Sequence, residues 1–197
     1  MSPFRTRDAR SIVPVVGLCA LLLAAPAHAG LSLDRFGGYL AAGYGKLFVQ
    51  DAPAGSLSLG AGADYPITPT LKLGVAIGSH LLGSRTVERG SLLSDVDFAM
   101  FETVVLLDWT PPWRGPLGLV SVGPGVFVAR ADLSASAGGA AFEDLAVHET
   151  RPGFAATATF ISRKESPLKL GLEVGGHVAF THDETWTVGT ARVTVRY

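Results

Sequence analysis

The sequence contains a single cysteine, Cys19, among its 197 residues. Because it lies in the amino-terminal apolar stretch described below, the rest of the chain can form no disulfide and offers no thiolate to a metal. Beyond that stretch, no segment has the run of about 20 apolar residues that a membrane-spanning helix needs. Charged residues make up only 17% of the chain and nearly cancel, at a net charge of −1. This balance argues against nucleic acid as a partner.

The first 29 residues have the three regions of a secretory signal peptide. Its basic start, apolar centre and small-residue end are Arg5, Arg7 and Arg10, then residues 12–25, then Ala27-His28-Ala29. The apolar part is too short to span a bilayer comfortably. Leu18 stands where a lipoprotein signal requires a small residue before the cysteine. We therefore expect residues 1–29 to be removed after Ala29, without lipid anchoring, and residues 30–197 to form a single domain.

In the remaining chain, apolar and polar residues alternate over eight segments of roughly ten residues each. The segment 99–109 shows the pattern clearly, with Glu102 and Asp108 on the face opposite its apolar residues. Residues 37–49 and 117–131 are less regular, because glycine and alanine blur their faces. We expect a β-bulge near Pro124, since proline cannot donate to a strand ladder. The alternation predicts eight half-buried strands.

The links between these segments fall into two sets. The links 66–70, 110–116 and 162–167 are short and contain proline, which suits rigid turns. The segments 82–94 and 132–148 are long and rich in glycine, serine and alanine, so we expect mobile loops there. Aromatic residues cluster at the expected strand ends, as in the two girdles of a membrane barrel, although aromatics are common in any strand. They are Tyr65, Trp109, Trp113, Phe160 and Tyr197 at one end, and Phe48, Phe127, Phe154 and Phe180 at the other.

The final residues carry the most specific pattern. Gly189 is followed by Val193, Val195 and the carboxyl-terminal Tyr197 on one strand face. The chain resembles the small eight-stranded outer-membrane β-barrels of the OmpA/OmpX type over its whole mature length, as an architecture. The resemblance implies an all-β, antiparallel, up-and-down transmembrane barrel in the bacterial outer membrane. It also implies contact with membrane lipid and lipopolysaccharide, and recognition of the last strand by the barrel assembly machinery.

Charged residues on the polar strand faces would then lie inside the barrel. An ionised group buried alone costs several kcal/mol, so we expect these residues to pair and to plug the lumen. The favoured pairing is Glu102 and Glu173 with Arg192. The alternative is a gated path for ions or protons, that is, a narrow channel. The predicted luminal charges are Asp64, Lys72, Asp108, Lys169 and Arg196 near the periplasmic end, with Glu102, Glu173 and Arg192 deeper.

Four arginines fall at or beyond the expected extracellular strand ends: Arg85, Arg89, Arg130 and Arg151. A guanidinium fork matches a phosphate group in a bidentate manner. These arginines are therefore candidate contacts for lipopolysaccharide phosphates, with ordinary solvated loop charge as the alternative.

The histidines give the main indication of chemistry: His80, His148, His177 and His182 all map toward the extracellular half. An outer-leaflet lipid A-modifying enzyme, a deacylase or acyltransferase, would need a histidine beside a serine, and no serine neighbours His177 or His182. The histidine spacing also fits no tight metal site. We therefore expect no catalytic residue, metal or cofactor, and a structural or surface-binding role. A soluble lipocalin-like barrel is a further alternative, with an apolar interior.

Overall fold

The computed structural model describes residues 35–49, 52–89, 92–112, 116–137, 140–141, 145–162, 167–182 and 185–197. The expected leader, its cleavage position and Trp113 lie outside these residues. Residues Gly37–Tyr197 form one compact unit. Its strands are β1 Gly37–Leu47, β2 Ser56–Pro66, β3 Leu71–Arg89, β4 Leu92–Trp109, β5 Leu117–Ala137, β6 Ala140–Ala141, β7 Leu145–Ile161, β8 Lys169–Phe180 and β9 Thr185–Arg196. Within the described ranges, no helix is long and apolar enough to cross a membrane.

The sheet closes on itself. Each long strand pairs antiparallel with the next, β4 pairs with β5, and β9 returns to β1. The two-residue β6 pairs only with the end of β5. Closure between the first and last strands is completed by Gly38 and Tyr197, whose amide and carbonyl groups exchange hydrogen bonds of 3.1 and 3.4 Å. The predicted eight-stranded antiparallel barrel is confirmed, and it leaves no free edge around the ring.

Side chains alternate between the inside and the outside of the barrel, as the period of a β-strand requires. On β4, Met100, Glu102 and Val104 are buried inside, whereas Phe101 and Val105 are exposed outside. The same alternation runs through β9, where Arg192 and Thr194 are buried and Val193 is 57% exposed. The interior thus holds buried charges together with an apolar cluster that includes Leu82, Met100 and Phe127, while exposed leucine and valine side chains cover the outside.

The two ends of the barrel differ in how far the strands extend. The turn end holds Gly37, Tyr197 and the described residues of the short links that follow β2, β4 and β7. The amides of Ile67 and Thr68 both donate to the carbonyl of Leu71, at 2.9 and 3.0 Å, which tightens the first link. At the opposite end, the hairpin end, β3, β4, β5 and β7 have 17 to 21 residues, whereas the other four barrel strands have 11 or 12. The parts of β3, β4, β5 and β7 that extend beyond the shorter strands form a wall above one side of the barrel, which we call the hairpin wall.

The expectation of long loops at 82–94 and 132–148 is wrong for the described residues of these segments. Pairing of β3 with β4 continues to Arg89 and Leu92, and pairing of β5 with β7 continues to Leu133 and Leu145. Glycine, serine and alanine suggested flexibility, but small residues also fit a strand ladder when its partner strand continues. The hydroxyl of Thr86 on β3 donates to the carboxylate of Asp95 on β4 at 2.5 Å, which bridges this ladder.

Among the described residues the strand register shifts at two places, and neither is Pro124. The β3–β4 register shifts between Leu81 and Gly83, and Gly83 has a φ of +90°, a backbone conformation that favours glycine. The β5–β7 register shifts between Leu117 and Leu119. Pro124 itself lies within an unshifted part of β5, paired with Phe154. The register does not shift at Pro124, so the bulge expected there is absent. The β4–β5 ladder is nevertheless interrupted at this point, between the pairs Val104–Gly125 and Leu107–Val122, as expected beside a residue that cannot donate a backbone hydrogen bond.

The aromatic residues predicted to form the two girdles lie on the outer face wherever the structure describes them, with the exception of Phe127. Phe160 and Tyr197 are exposed at the turn end, and Phe48 and Phe180 are exposed at the hairpin end. Phe127, expected in the hairpin-end girdle, is instead fully buried inside the barrel. Phe127 is separated from Ser121 and Ala129 by an even number of residues on β5. Because alternate residues of a strand point to the same side, all three side chains point into the barrel.

Candidate functional site: the charged interior

The deepest ion pair joins β8 and β9. Glu173 and Arg192 are direct cross-strand neighbours, and both are almost fully buried. Arg192 donates from Nε to Glu173 Oε1 at 2.8 Å, and its terminal nitrogen donates to the same oxygen. Gly60 on β2, two strands away from β9 in the sheet, leaves room for this long side chain, since a Cβ at Gly60 would lie 2.8 Å from an Arg192 nitrogen. The glycines on the polar faces therefore make space for the charged side chains.

A second group of charges lies toward the turn end, around Asp64. Lys72 donates to Asp64 Oδ1 at 2.6 Å, and Arg196 donates to Asp64 Oδ2 at 3.0 Å. The Arg196 guanidinium also lies 3.9 Å from a carboxylate oxygen of Asp108 and 4.6 Å from the centre of the Tyr39 ring. One carboxylate is thus shared by two cations from different strands.

Lys169, predicted to belong to this group, is exposed at the first residue of β8. Lys169 belongs to the set of alternate β8 residues that point inward, but it lies too close to the mouth of the barrel to be enclosed. The prediction identified its face correctly and its burial wrongly.

Glu102 does not pair with Arg192 as the sequence led us to expect. Its carboxylate instead faces two histidines, one on the neighbouring strand β3 and one on the distant strand β8. Oε1 lies 3.3 Å from Nε2 of His80, and Oε2 lies 2.7 Å from Nδ1 of His177. The two imidazole rings are 4.8 Å apart between centroids. Arg192 is already engaged by its neighbour Glu173, which leaves Glu102 to the histidines.

Both histidines are inside the barrel and are 0% and 1% exposed. Their sequence parity could have revealed this, because His80 shares a strand face with Gly78 and His177 shares one with Glu173. Two hydroxyl groups complete the cluster. Ser58 Oγ lies 2.9 Å from His80 Nδ1, and Thr190 Oγ1 lies 3.2 Å from His177 Nε2.

No serine neighbours His177 or His182 in the sequence, but in the folded barrel Ser58 contacts another histidine, His80. Ser58 contacts His80, and His80 in turn faces the carboxylate of Glu102. A serine, a histidine and a carboxylate are the residue set of hydrolytic catalysis. All three side chains are buried inside the barrel, with Ser58 0% exposed. An acyl chain lying against the outer surface would be separated from this hydroxyl by the barrel wall.

The arginines expected at the rim do not share one surface. Arg130 on β5 is exposed on the outer face and contacts Asp132, with Nε 3.0 Å from Oδ1. Arg151 on β7 contacts Glu149, and its guanidinium holds the pKa of that carboxyl below the usual range. Because His148 is the register partner of Arg130, Arg151 three residues later faces the other side of the strand pair.

Arg85 and Arg89 both lie on the extended part of β3. Arg85 is half-buried, and the structure does not describe the side chain of Arg89. The structure therefore places at least three of the four arginines on different strands of the hairpin wall and does not bring them into one cluster.

The residues of the proposed assembly signal lie on β9 or, in the case of Tyr197, directly after it. Val193, Val195 and Tyr197 are exposed on the outer face, at 57%, 37% and 75%. Gly189 is flanked by Lys46 of β1 and Gly176 of β8, and a Cβ there would meet the Phe48 ring at 2.7 Å. In the folded barrel, these residues form part of the outer surface beside β1.

No protein-family model matches the chain, and no curated protein sequence matches it. Among solved structures, neisserial surface protein A is similar with a TM-score of 0.54 and 15% sequence identity, covering 82% of this chain and 96% of that one. A major outer membrane protein from Thermus thermophilus is similar with a TM-score of 0.53 and 11% identity, covering 82% and 97%. These similarities show that the chain has the fold of small outer-membrane barrels.

Proposed function

We propose that this protein is an integral protein of the bacterial outer membrane, with a plugged lumen and a structural or surface-binding role. The observation that carries the proposal is the belt of apolar side chains on the outside of the barrel. Members from every side of the ring include Leu40, Leu59, Ile77, Leu107, Val126 and Leu172, each between 43% and 67% exposed. Exposed apolar surface of this extent needs a nonaqueous environment.

The interior of the barrel argues against the soluble alternative. A lipocalin-like barrel has an apolar interior for its ligand and a polar exterior. Here Asp64, Glu102, Glu173 and Arg192 are buried inside, and leucine and valine cover the outside. Buried ionic groups inside an apolar outer surface are the arrangement that a barrel in a bilayer requires.

The luminal contacts support a plugged interior over a narrow channel. Arg192 and Glu173 bridge β9 and β8, while Arg196 reaches from β9 to Asp64 on β2. A barrel of eight strands has an interior just wide enough for side chains. Ion flow through it would require these buried pairs to separate, at a cost of several kcal/mol each.

The hairpin wall is the part of the barrel suited to surface contact. If the turn end faces the periplasm, the wall stands on the extracellular side, above the outer leaflet. Arg130 is the outward-facing arginine best placed to meet lipopolysaccharide phosphates, in exchange for its contact with Asp132. We assign this role to Arg130 ahead of Arg151, whose side chain faces the concave side of the wall.

Export and assembly complete the proposal. Residues 1–29 would direct secretion, and the exposed outer face of β9, ending in Tyr197, would be read by the barrel assembly machinery. Replacement of Tyr197 by serine should reduce the amount of protein reaching the outer membrane without changing its synthesis.

Fractionation of bacteria that produce the protein tests the proposal. We expect the protein in outer membranes, where it resists extraction by carbonate and migrates differently on gels when unheated. Recovery in the soluble periplasmic fraction would refute it. Discrete conductance steps in planar bilayers would refute the plugged lumen alone, and an altered acyl pattern in lipid A from producing cells would instead support the enzymatic alternative.

A further inference from the structure

We propose that His80, Glu102 and His177 form a binding site for a divalent transition-metal ion, of the Zn²⁺ class, inside the barrel. Each residue offers one ligand atom, and these atoms all lie within 4.8 Å of one another. The residues come from β3, β4 and β8, so the closed barrel is what brings them together. Two imidazoles and one carboxylate are a ligand set that proteins use for zinc, with the fourth position left to water.

The surrounding hydroxyl groups orient both rings for this role. Ser58 Oγ lies at Nδ1 of His80, and Thr190 Oγ1 lies at Nε2 of His177. When each of these ring nitrogens donates its proton to the hydroxyl oxygen, the other nitrogen of each ring carries a lone pair. Those two nitrogens are Nε2 of His80 and Nδ1 of His177, the atoms that face Glu102. Metal-binding histidines are held in the same way by a partner at their second nitrogen.

One of the two metal-facing nitrogens has no hydrogen-bond partner. His80 is fully buried, and its Nε2 is among the buried polar atoms left unsatisfied in the described residues. A buried polar group without a partner costs about 1–3 kcal/mol, so such a group calls for an explanation. Its position 3.3 Å from a carboxylate oxygen is explained when a cation lies between them.

The distribution of charge points the same way. Glu173 is paired with Arg192, and Asp64 is shared by Lys72 and Arg196. Glu102 is almost fully buried and contacts no arginine or lysine among the described salt bridges; its partners are the two histidines. A divalent cation would supply the positive charge that this carboxylate lacks.

The site also has the space that a fourth ligand needs. A cavity of about 10 Å³ borders Glu102 and His177, and Thr157 and Arg192 also line it. This volume is about that of one water molecule. Tetrahedral zinc places its ligand atoms roughly 3.3–3.4 Å apart, so the side chains need shifts of about 1 Å to close around the ion.

The ligand chemistry selects the metal. Imidazole suits Zn²⁺, Co²⁺, Ni²⁺ and Cu²⁺, whereas Mg²⁺ and Ca²⁺ prefer oxygen ligands. We therefore expect Zn²⁺ to stabilise the folded barrel and Mg²⁺ at the same concentration to leave it unchanged.

The test uses the untagged mature chain refolded in detergent with Co²⁺, whose visible absorption reports a tetrahedral site. We expect one Co²⁺ per chain after dialysis, displaced by one equivalent of Zn²⁺. Combined His80→Ala and His177→Ala replacements should lower the affinity by at least about a hundredfold, and Glu102→Gln by at least about tenfold. His148→Ala is the matched control, because His148 is exposed on the hairpin wall and should bind as the wild type does.

The gel shift of the unheated protein shows whether each variant has folded. If the double variant does not fold, the wild type decides the matter by its melting temperature, which should rise with Zn²⁺ and not with Mg²⁺. Absence of stoichiometric Co²⁺ from the folded wild type would overturn the proposal. So would binding that survives undiminished in the folded double variant, since it would then arise from surface groups. Neither result would affect the proposed outer-membrane location.

Discussion

The pair formed by Glu173 and Arg192 should behave as one energetic unit. Replacing Glu173 by glutamine keeps the shape of the side chain and removes its charge. Arg192, which is 3% exposed, would then be a buried cation without a counterion. Breaking a buried ion pair in this way costs about 3–5 kcal/mol. We expect Glu173→Gln to lower the free energy of unfolding by that amount, and Arg192→Met to lower it similarly by leaving Glu173 unpaired.

The double variant separates pairing from simple loss of packing. With both charges removed, no ion remains buried alone, so the Glu173→Gln and Arg192→Met effects should not add. We expect a coupling energy of about 3 kcal/mol between the two positions. Lys169→Met is the matched control, because Lys169 is exposed at the start of β8 and should change stability by less than about 0.5 kcal/mol.

Urea-induced unfolding in phospholipid vesicles, followed by tryptophan fluorescence, measures these values. The slope of free energy against urea should stay constant, so that shifts in the midpoint report stability alone. Additive losses in the double variant, or a Glu173→Gln loss below about 1 kcal/mol, would refute the assignment of this pair to a closed, low-dielectric interior.

Three further results are expected. Ile77→Arg should destabilise the protein in vesicles by about 2–4 kcal/mol, whereas Leu93→Arg on the hairpin wall should cost under about 1 kcal/mol; equal losses would contradict the membrane belt. Gly43→Ala should cost about 1–3 kcal/mol in urea unfolding, because its Cβ would overlap the carbonyl oxygen of Ala191, while Gly176→Ala, with nothing within 4 Å, should cost far less. Arg151→Gln should move the carbon-13 titration of the Glu149 carboxyl to higher pH, because Arg151 holds that pKa below its usual range, and an unchanged titration would contradict their contact.

The sequence could predict which side chains of a strand point into the barrel. It could not predict how far along the barrel axis each side chain lies. Strict alternation on β4 and β9 places Glu102, Asp108, Arg192 and Arg196 inside, since a period of two fixes parity. The partners of each charge depend on the register of every strand around the ring. His177 and Glu102 are 75 residues apart and meet only after the barrel closes. Sequence reasoning therefore gave Glu102 the wrong partner.

The hairpin wall was missed for a different reason. Residues such as Ser94, Ser134 and Ala135 suit both a mobile loop and a strand, and local composition does not separate the two. What decides the outcome is whether a partner strand continues beside them, and pairs such as Asp95 with Ser134 show that it does. Strand length in this region is thus a property of the pair of strands, which the sequence of either one does not reveal.

Cysteine accessibility on intact cells tests the central claim, that the barrel spans the outer membrane, most directly. The chain outside the expected leader has no cysteine, so single replacements can be labelled cleanly with a membrane-impermeant maleimide. We expect Ser134→Cys on the hairpin wall to react on intact cells, and Thr68→Cys at the turn end to react only after the outer membrane is permeabilised. Leu172→Cys in the apolar belt should react only after the protein is unfolded. Equal labelling of all three positions in intact or merely permeabilised cells would contradict the claim.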